Sequence, residues 1–230
     1  LTSTSPVLGQ TATWIVSHHP EWGGALAGFL RERLHAKELS DGERAELEDQ
    51  LARFARDGAI QELLAATSQA ADTPVETRRT VLRAMARSEL KETPASWAAE
   101  IARVLAGGGN DPELLRQAVA AARALPTPKE LKDASPELTA ALLHVARDVV
   151  APADLRIDAL AAVPGGVASV DTALFAFLRD GLDPARPVLE RAAAAGVIAR
   201  AKLQPAQLLE LADVIKTAGP LEVPKLLPAF

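Results

Sequence analysis

Seven times in this sequence a serine, threonine or aspartate is followed at once by proline, at Ser5-Pro6, Thr73-Pro74, Thr93-Pro94, Asp111-Pro112, Thr127-Pro128, Ser135-Pro136 and Asp183-Pro184. Each dipeptide reads as a helix start. The first side chain can accept from an unsatisfied backbone N–H of the first turn, and proline in the first helical position forfeits no hydrogen bond. Thr73 with Glu76, Thr127 with Glu130 and Ser40 with Glu43 also have the spacing of the reciprocal capping box. Alanine fills 47 of the 230 positions and β-branched runs are scarce, so the intrinsic preference between these starts is helical.

The apolar spacing agrees. Ile60, Leu63, Leu64 and Thr67 fall on one helical face, as do Trp97, Ile101, Val104 and Leu105, and Leu115, Ala118, Val119, Ala122 and Leu125. Further stripes are Leu138, Leu142, Val145 and Val149, then Val170, Leu174, Phe177 and Leu178, then Leu208, Leu211, Ala212 and Ile215. No stretch alternates with period two for long enough to suggest a sheet. The pattern predicts about twelve helices joined by short turns, at 5–18, 22–37, 41–56, 58–70, 74–88, 94–106, 112–125, 136–149, 152–163, 169–180, 184–200 and 205–217. A further short helix is expected to begin near Leu221.

Internal recurrence separates an array from a closed bundle. Arg79-Thr-Val-Leu-Arg-Ala, Arg116-Gln-Ala-Val-Ala-Ala and Arg156-Ile-Asp-Ala-Leu-Ala recur 37 and 40 residues apart, and Val188-Leu-Glu-Arg-Ala-Ala takes the equivalent place 32 residues later without the leading arginine. Each is expected to open a two-helix unit, so that five to six hairpins fill the chain. Asp111-Pro112-Glu-Leu-Leu-Arg116-Gln-Ala-Val119, with its first half repeated from Asp183-Pro184, resembles the HEAT repeat. That resemblance covers residues 74–230, and residues 1–73 fit only as irregular hairpins. It implies an all-α, right-handed α-solenoid of HEAT-like hairpins, a single domain over 1–230, in which neighbouring pairs bury each other's apolar stripes.

A narrower resemblance rests on His18-His19-Pro20-Glu21-Trp22 and on the tail from Phe175 through Arg179-Asp-Gly-Leu-Asp-Pro-Ala-Arg to Leu203. These segments resemble the helical region of large bacterial membrane-bound-dehydrogenase-like proteins, in which a β-propeller and a c-type cytochrome module flank a HEAT region. The resemblance implies an exported, periplasmic or cell-surface multidomain redox protein in which this chain is the spacer or docking arm. None of that family's functional residues can be placed here, because the haem motif needs two cysteines and the chain has none.

Composition limits the chemistry. With 48% hydrophobic and 24% charged residues the chain can bury a core without metal or disulfide. The absence of cysteine removes thiol catalysis, thiolate-bound zinc, iron–sulfur clusters and covalent haem attachment. A net charge of −5 disfavours a surface that tracks phosphates, so no nucleic acid is expected as partner. The Ala-rich stretch from Arg191 to Ala201 is bounded by arginines, and no run is long enough to cross a bilayer. Both ends read as boundaries of a piece of a larger protein, and the piece is expected to be monomeric.

The remaining candidates favour structural readings. His18, His19 and Glu21 could hold a metal where Pro20 has ended the helix, but histidine near a helix C-terminus also meets the dipole favourably. His35 has no neighbouring ligand in sequence, and His144 is read as the flank of a stripe. The pairs Glu46/Glu48 and Glu43/Asp49 lie among Arg44, Arg53 and Arg56 on what reads as a solvated face, the wrong place for paired acid–base work. Gly107-Gly108-Gly109-Asn110 closes one helix before the next and follows no strand, so the phosphate-cradle reading lacks its context. Val163 to Val167 is read as a turn inside one hairpin. Trp14, Trp22 and Trp97 are expected in the core rather than as stacking platforms, and Ser3 and Ser5 lack a partner for nucleophilic catalysis.

No catalytic residue, metal ligand or cofactor site is therefore assigned, and the expected function is a non-catalytic spacer or interaction scaffold for a protein partner or flanking domains. Two rivals remain: a helical wall of a redox enzyme's active site, and a nucleic-acid groove. The second requires Arg78, Arg79, Arg83, Arg103, Arg116 and Arg123 to converge on one face.

Overall fold

The computed structural model describes residues 22–36, 39–107, 111–126 and 135–230, with Thr11, Ile15 and His19 before them. The described residues form no strand and twelve α-helices. They are α1 (Gly23–Leu34), α2 (Asp41–Phe54), α3 (Gly58–Gln69), α4 (Val75–Ala86), α5 (Ala95–Gly107), α6 (Pro112–Ala124), α7 (Pro136–Arg147), α8 (Ala153–Ala162), α9 (Thr172–Asp180), α10 (Val188–Ile198), α11 (Pro205–Ile215) and α12 (Val223–Leu226). A single 3₁₀ turn follows at Leu227–Ala229. Thr11 and Ile15 are helical, and the rest of the predicted helix 5–18 lies outside the described residues. No helix among the described residues is long and apolar enough to cross a membrane.

Local chemistry sets several of these boundaries as the sequence predicts. Asp111 and Ser135 each accept from the backbone N–H three residues on, at 2.9 and 3.1 Å, with proline in the first turn. Ser40 and Glu43 form the reciprocal capping box. Other starts differ. Pro74 itself is the N-cap of α4, and Thr73 turns away to donate to the Thr67 carbonyl at 2.6 Å, so the Thr73–Glu76 box does not form. Asp183 accepts from Ala185 N in a turn, and α10 starts only at Val188 with Pro187 as its N-cap, since a proline disfavours helical backbone at the residue before it; Arg191 donates to the carbonyls of Pro184 and Arg186. Helix α7 stops at Arg147, where Asp148 folds back to accept from Val150 N, leaving Val149 81% exposed instead of on the predicted stripe. On α11, Leu211 is buried and Ala212 is exposed. Ser5-Pro6, Thr127-Pro128 and the Thr127–Glu130 pair lie outside the described residues.

All the substantial helix–helix contacts join first or second neighbours along the chain. Helices α1 and α2, α3 and α4, α5 and α6, α7 and α8, and α9 and α10 pack as hairpins. One row then stacks as α1, α3, α5 and α7, with α9 on α11, and the other runs from α2 through α4, α6, α8 and α10 to α12. The first row is interrupted between α7 and α9, where the linker 163–171 intervenes. Helices α3 and α4 form a hairpin across position 73. Val163 to Val167 joins two hairpins rather than turning inside one, and the recurrent arginine segments sit on α4, α6 and α8, the second helix of each pair.

One continuous apolar cluster, from Ala27 on α1 to Leu226 on α12, runs through the stack. Two close approaches hold the chain against it, one beside α1 and one between α8 and α9. Asp57 caps two helices at once, accepting from Gly24 N at 2.9 Å and Ala59 N at 2.8 Å, and a side chain on Gly23 would lie 2.6 Å from Asp57 Cβ. At the other side, Gly166 has φ +84° and would place a Cβ 2.2 Å from the Arg200 carbonyl, so only glycine fits this linker.

Candidate functional site

Polar chemistry in this molecule is concentrated on the second row, where charged pairs link successive helices. Between α2 and α4 the pairs are Arg44–Glu76 at 3.9 Å, Glu48–Arg83 at 2.7 Å and Asp49–Arg87 at 2.9 Å. Arg79 joins α4 to Asp111 at the head of α6 at 2.9 Å. Arg116 and Arg123 join α6 to Asp154 and Asp158 of α8, and Arg191 joins α10 to the buried Glu222 at 3.0 Å. Arg156, expected to repeat Arg79 and Arg116, is one position out of register. It donates to the Ala146 carbonyl and lies 3.8 Å over the Phe177 ring, the place that Arg78 takes two repeats earlier on the carbonyls of Ser68 and Ala70.

Three of these acids are shifted, each downward. Asp111 is held below the usual aspartate range by the Leu114 N–H, and then by Arg79. Asp154 is lowered by its hydrogen bond from Arg116. For Glu76 partial burial opposes ionisation, but Arg83, Arg44 and Arg79 outweigh it and the net shift is downward. Arg79, Arg83, Arg103 and Arg116 are held more firmly protonated in return.

The six arginines of a nucleic-acid groove are thus individually engaged. Arg79, Arg83, Arg103, Arg116 and Arg123 meet carboxylates, and Arg78, together with Arg103, closes the C-terminal end of α3 through the Ser68 carbonyl. Glu48 is buried under Arg83 rather than on the solvated face, while Glu46 accepts from Gln50, and Glu43 serves its cap. Trp97 is fully buried and donates from its indole to the Gln61 carbonyl at 3.0 Å. Trp22 departs from the core expectation: it is 41% exposed and stacks on the His19 ring at 4.2 Å.

His18, Glu21, Trp14, Ser3, Ser5 and Gly108 to Asn110 lie outside the described residues, and His144 is exposed. No group of three or more potential metal ligands comes together among the described residues.

One concavity that could receive a ligand lies at the edge of the stack. There the N-terminal ends of α5 and α7 meet the C-terminal ends of α6 and α8, and Arg200 closes one side from just beyond α10. It encloses about 460 Å³. Ala98, Ala122, Leu125, Leu138 and Val163 form its walls, and Arg123, Glu137 and Arg200 its charged rim. The chain matches no protein-family model, no curated protein and no solved structure. The groove's volume falls in the range of sites that bind small molecules or peptide side chains, mostly apolar with a few fixed polar groups. No spacing in the sequence marks it, because its room comes from alanines that look like ordinary helix formers until two hairpins are stacked.

Proposed function

We propose that this chain is a non-catalytic interaction scaffold, a right-handed HEAT-like α-solenoid that holds a protein partner or flanking domains of the same polypeptide. The observation that carries the reading is the packing pattern: each helix makes its substantial contacts with first and second neighbours, around one core that runs from α1 to α12. In such a stack stability comes from nearest-neighbour interfaces, and the outer faces of both rows stay available along the whole length. A protein partner suits those faces better than a nucleic acid, since the arginines that would track phosphates already meet carboxylates or helix ends.

The test is cross-linking mass spectrometry on the protein in its source cells, combined with turnover assays of the purified chain. Cross-links to one partner, or to adjoining domains, should fall along several successive hairpins, duplex DNA should not bind at low salt, and no hydrolysis or oxidation should be seen. Turnover abolished by a single point substitution would overturn the reading.

A further inference from the structure

The edge groove is walled by the outer sides of core residues, among them Ala98, Ala122, Leu138 and Val163, and its rim is charged unevenly. Glu137 accepts from the Ser135 hydroxyl at 3.0 Å, and Arg123 is paired with Asp158 at 2.6 Å. Arg200 donates only to carbonyls, to Ala161 at 2.7 Å and Gly196 at 3.5 Å, and no carboxylate lies within ion-pair distance of it among the described residues. A guanidinium has five N–H donors in a planar fork. The two bonds to carbonyls hold Arg200 in place and leave the Nη1 pair and one Nη2 hydrogen free, which is the end-on arrangement that takes a carboxylate with both oxygens.

The walls beside it are aliphatic, and small at the points where a main chain must come close. Ala95 and Ala99 are exposed on the groove side of α5, and Leu125, Leu138 and Val163 supply apolar contact. In a chain of net charge −5, a positioned guanidinium with no acid within ion-pair distance among the described residues, set beside an aliphatic hollow, is complementary to one carboxylate on an apolar body. The hollow is bounded by four helix ends, which suits a short extended segment rather than a flat surface.

We infer that this groove binds a short aliphatic peptide segment of a partner protein that carries one acidic residue, with the carboxylate on Arg200 and aliphatic side chains against Leu125, Leu138 and Val163. The inference rests on the scaffold reading and names the place and chemistry of its contact.

The experiment is panning of a phage-displayed random dodecapeptide library on the full chain, followed by fluorescence polarisation of the enriched peptides as synthetic, labelled probes. Ala99→Trp fills the groove from an exposed position, and Arg200→Glu reverses the rim charge. Circular dichroism verifies that both variants fold. Glu62→Lys, on the distant α1–α3 side, is the control. Enrichment of aliphatic sequences with an acidic residue, weakened at least tenfold by each groove variant and unchanged by Glu62→Lys, is the expected result. Replacing the acidic residue of such a peptide by its amide should cost a similar factor on the native chain and little on Arg200→Glu. No enrichment, enrichment of basic sequences, or binding that survives both groove variants would overturn the inference. The last of these would place the partner elsewhere on the stack and leave the scaffold reading standing, whereas that reading fails on the turnover assays whatever the groove does.

Discussion

Arg79 leaves α4 and donates from a single nitrogen to both carboxylate oxygens of Asp111, at 2.9 and 3.0 Å, while Asp111 uses the same carboxylate to cap α6 through Leu114 N. One acid thus ends a helix and fastens it to its neighbour in the row. Asp111→Ala should cost about 1–3 kcal/mol, since it removes a cap and leaves a partly buried cation without its acid. Arg79→Ala should cost less than Asp111→Ala, because both side chains remain partly exposed and solvent screens the pair. Urea midpoints for the two variants and their combination give the coupling directly, and strict additivity would contradict the link.

Acid should loosen the second row in particular. Asp111, Asp154 and Glu76 have folded pKa values below their unfolded ones. Their contribution is therefore complete above the unfolded value and is lost as pH falls through the folded one. Stability should decline below about pH 4. Asp111→Asn and Asp154→Asn should flatten that decline while lowering stability at neutral pH, which denaturation midpoints across a pH series would read out.

Gly166 is the position least tolerant of a methyl group. Its φ of +84° and the Arg200 carbonyl 2.2 Å from any added Cβ make Gly166→Ala costly by about 3 kcal/mol or more. A thermal melt within experimental error of the parent would show that the linker between α8 and α9 can rearrange.

Trp97 gives a spectroscopic handle on the core. Trp97→Phe keeps most of the volume and removes only a second donor from the Gln61 carbonyl, which its own helix already satisfies, so it should cost about 1 kcal/mol, against about 3–5 kcal/mol for Trp97→Ala. Iodide should quench the exposed Trp22 far more than Trp97.

The helices were legible in the sequence wherever a boundary is decided locally. Asp111-Pro112, Ser135-Pro136 and the Ser40–Glu43 box act through side chains three residues from the N–H they satisfy, so spacing alone reveals them. Asp183-Pro184 misled because a second proline three residues on, Pro187, is the true cap of α10 and keeps Arg186 out of the helix. Arg156 misled by one position because its partner is the end of another helix. Glu48 reads as a surface acid on its own helix and is covered only when α4 lays Arg83 across it. The groove was illegible because an alanine says that a side chain is small, while only the stacking of two hairpins says that nothing else fills the space.

Both the scaffold and its groove depend on the helices being piled along one axis, and small-angle X-ray scattering of the chain tests that most directly. Six layers spaced by about 9–10 Å give a body about 50–60 Å long and about 20 Å across, so the pair-distance distribution should be skewed, with a tail reaching about 60 Å. A compact globule of this length has a radius of gyration of about 17 Å, and a symmetric distance distribution ending near about 45 Å would contradict the stack.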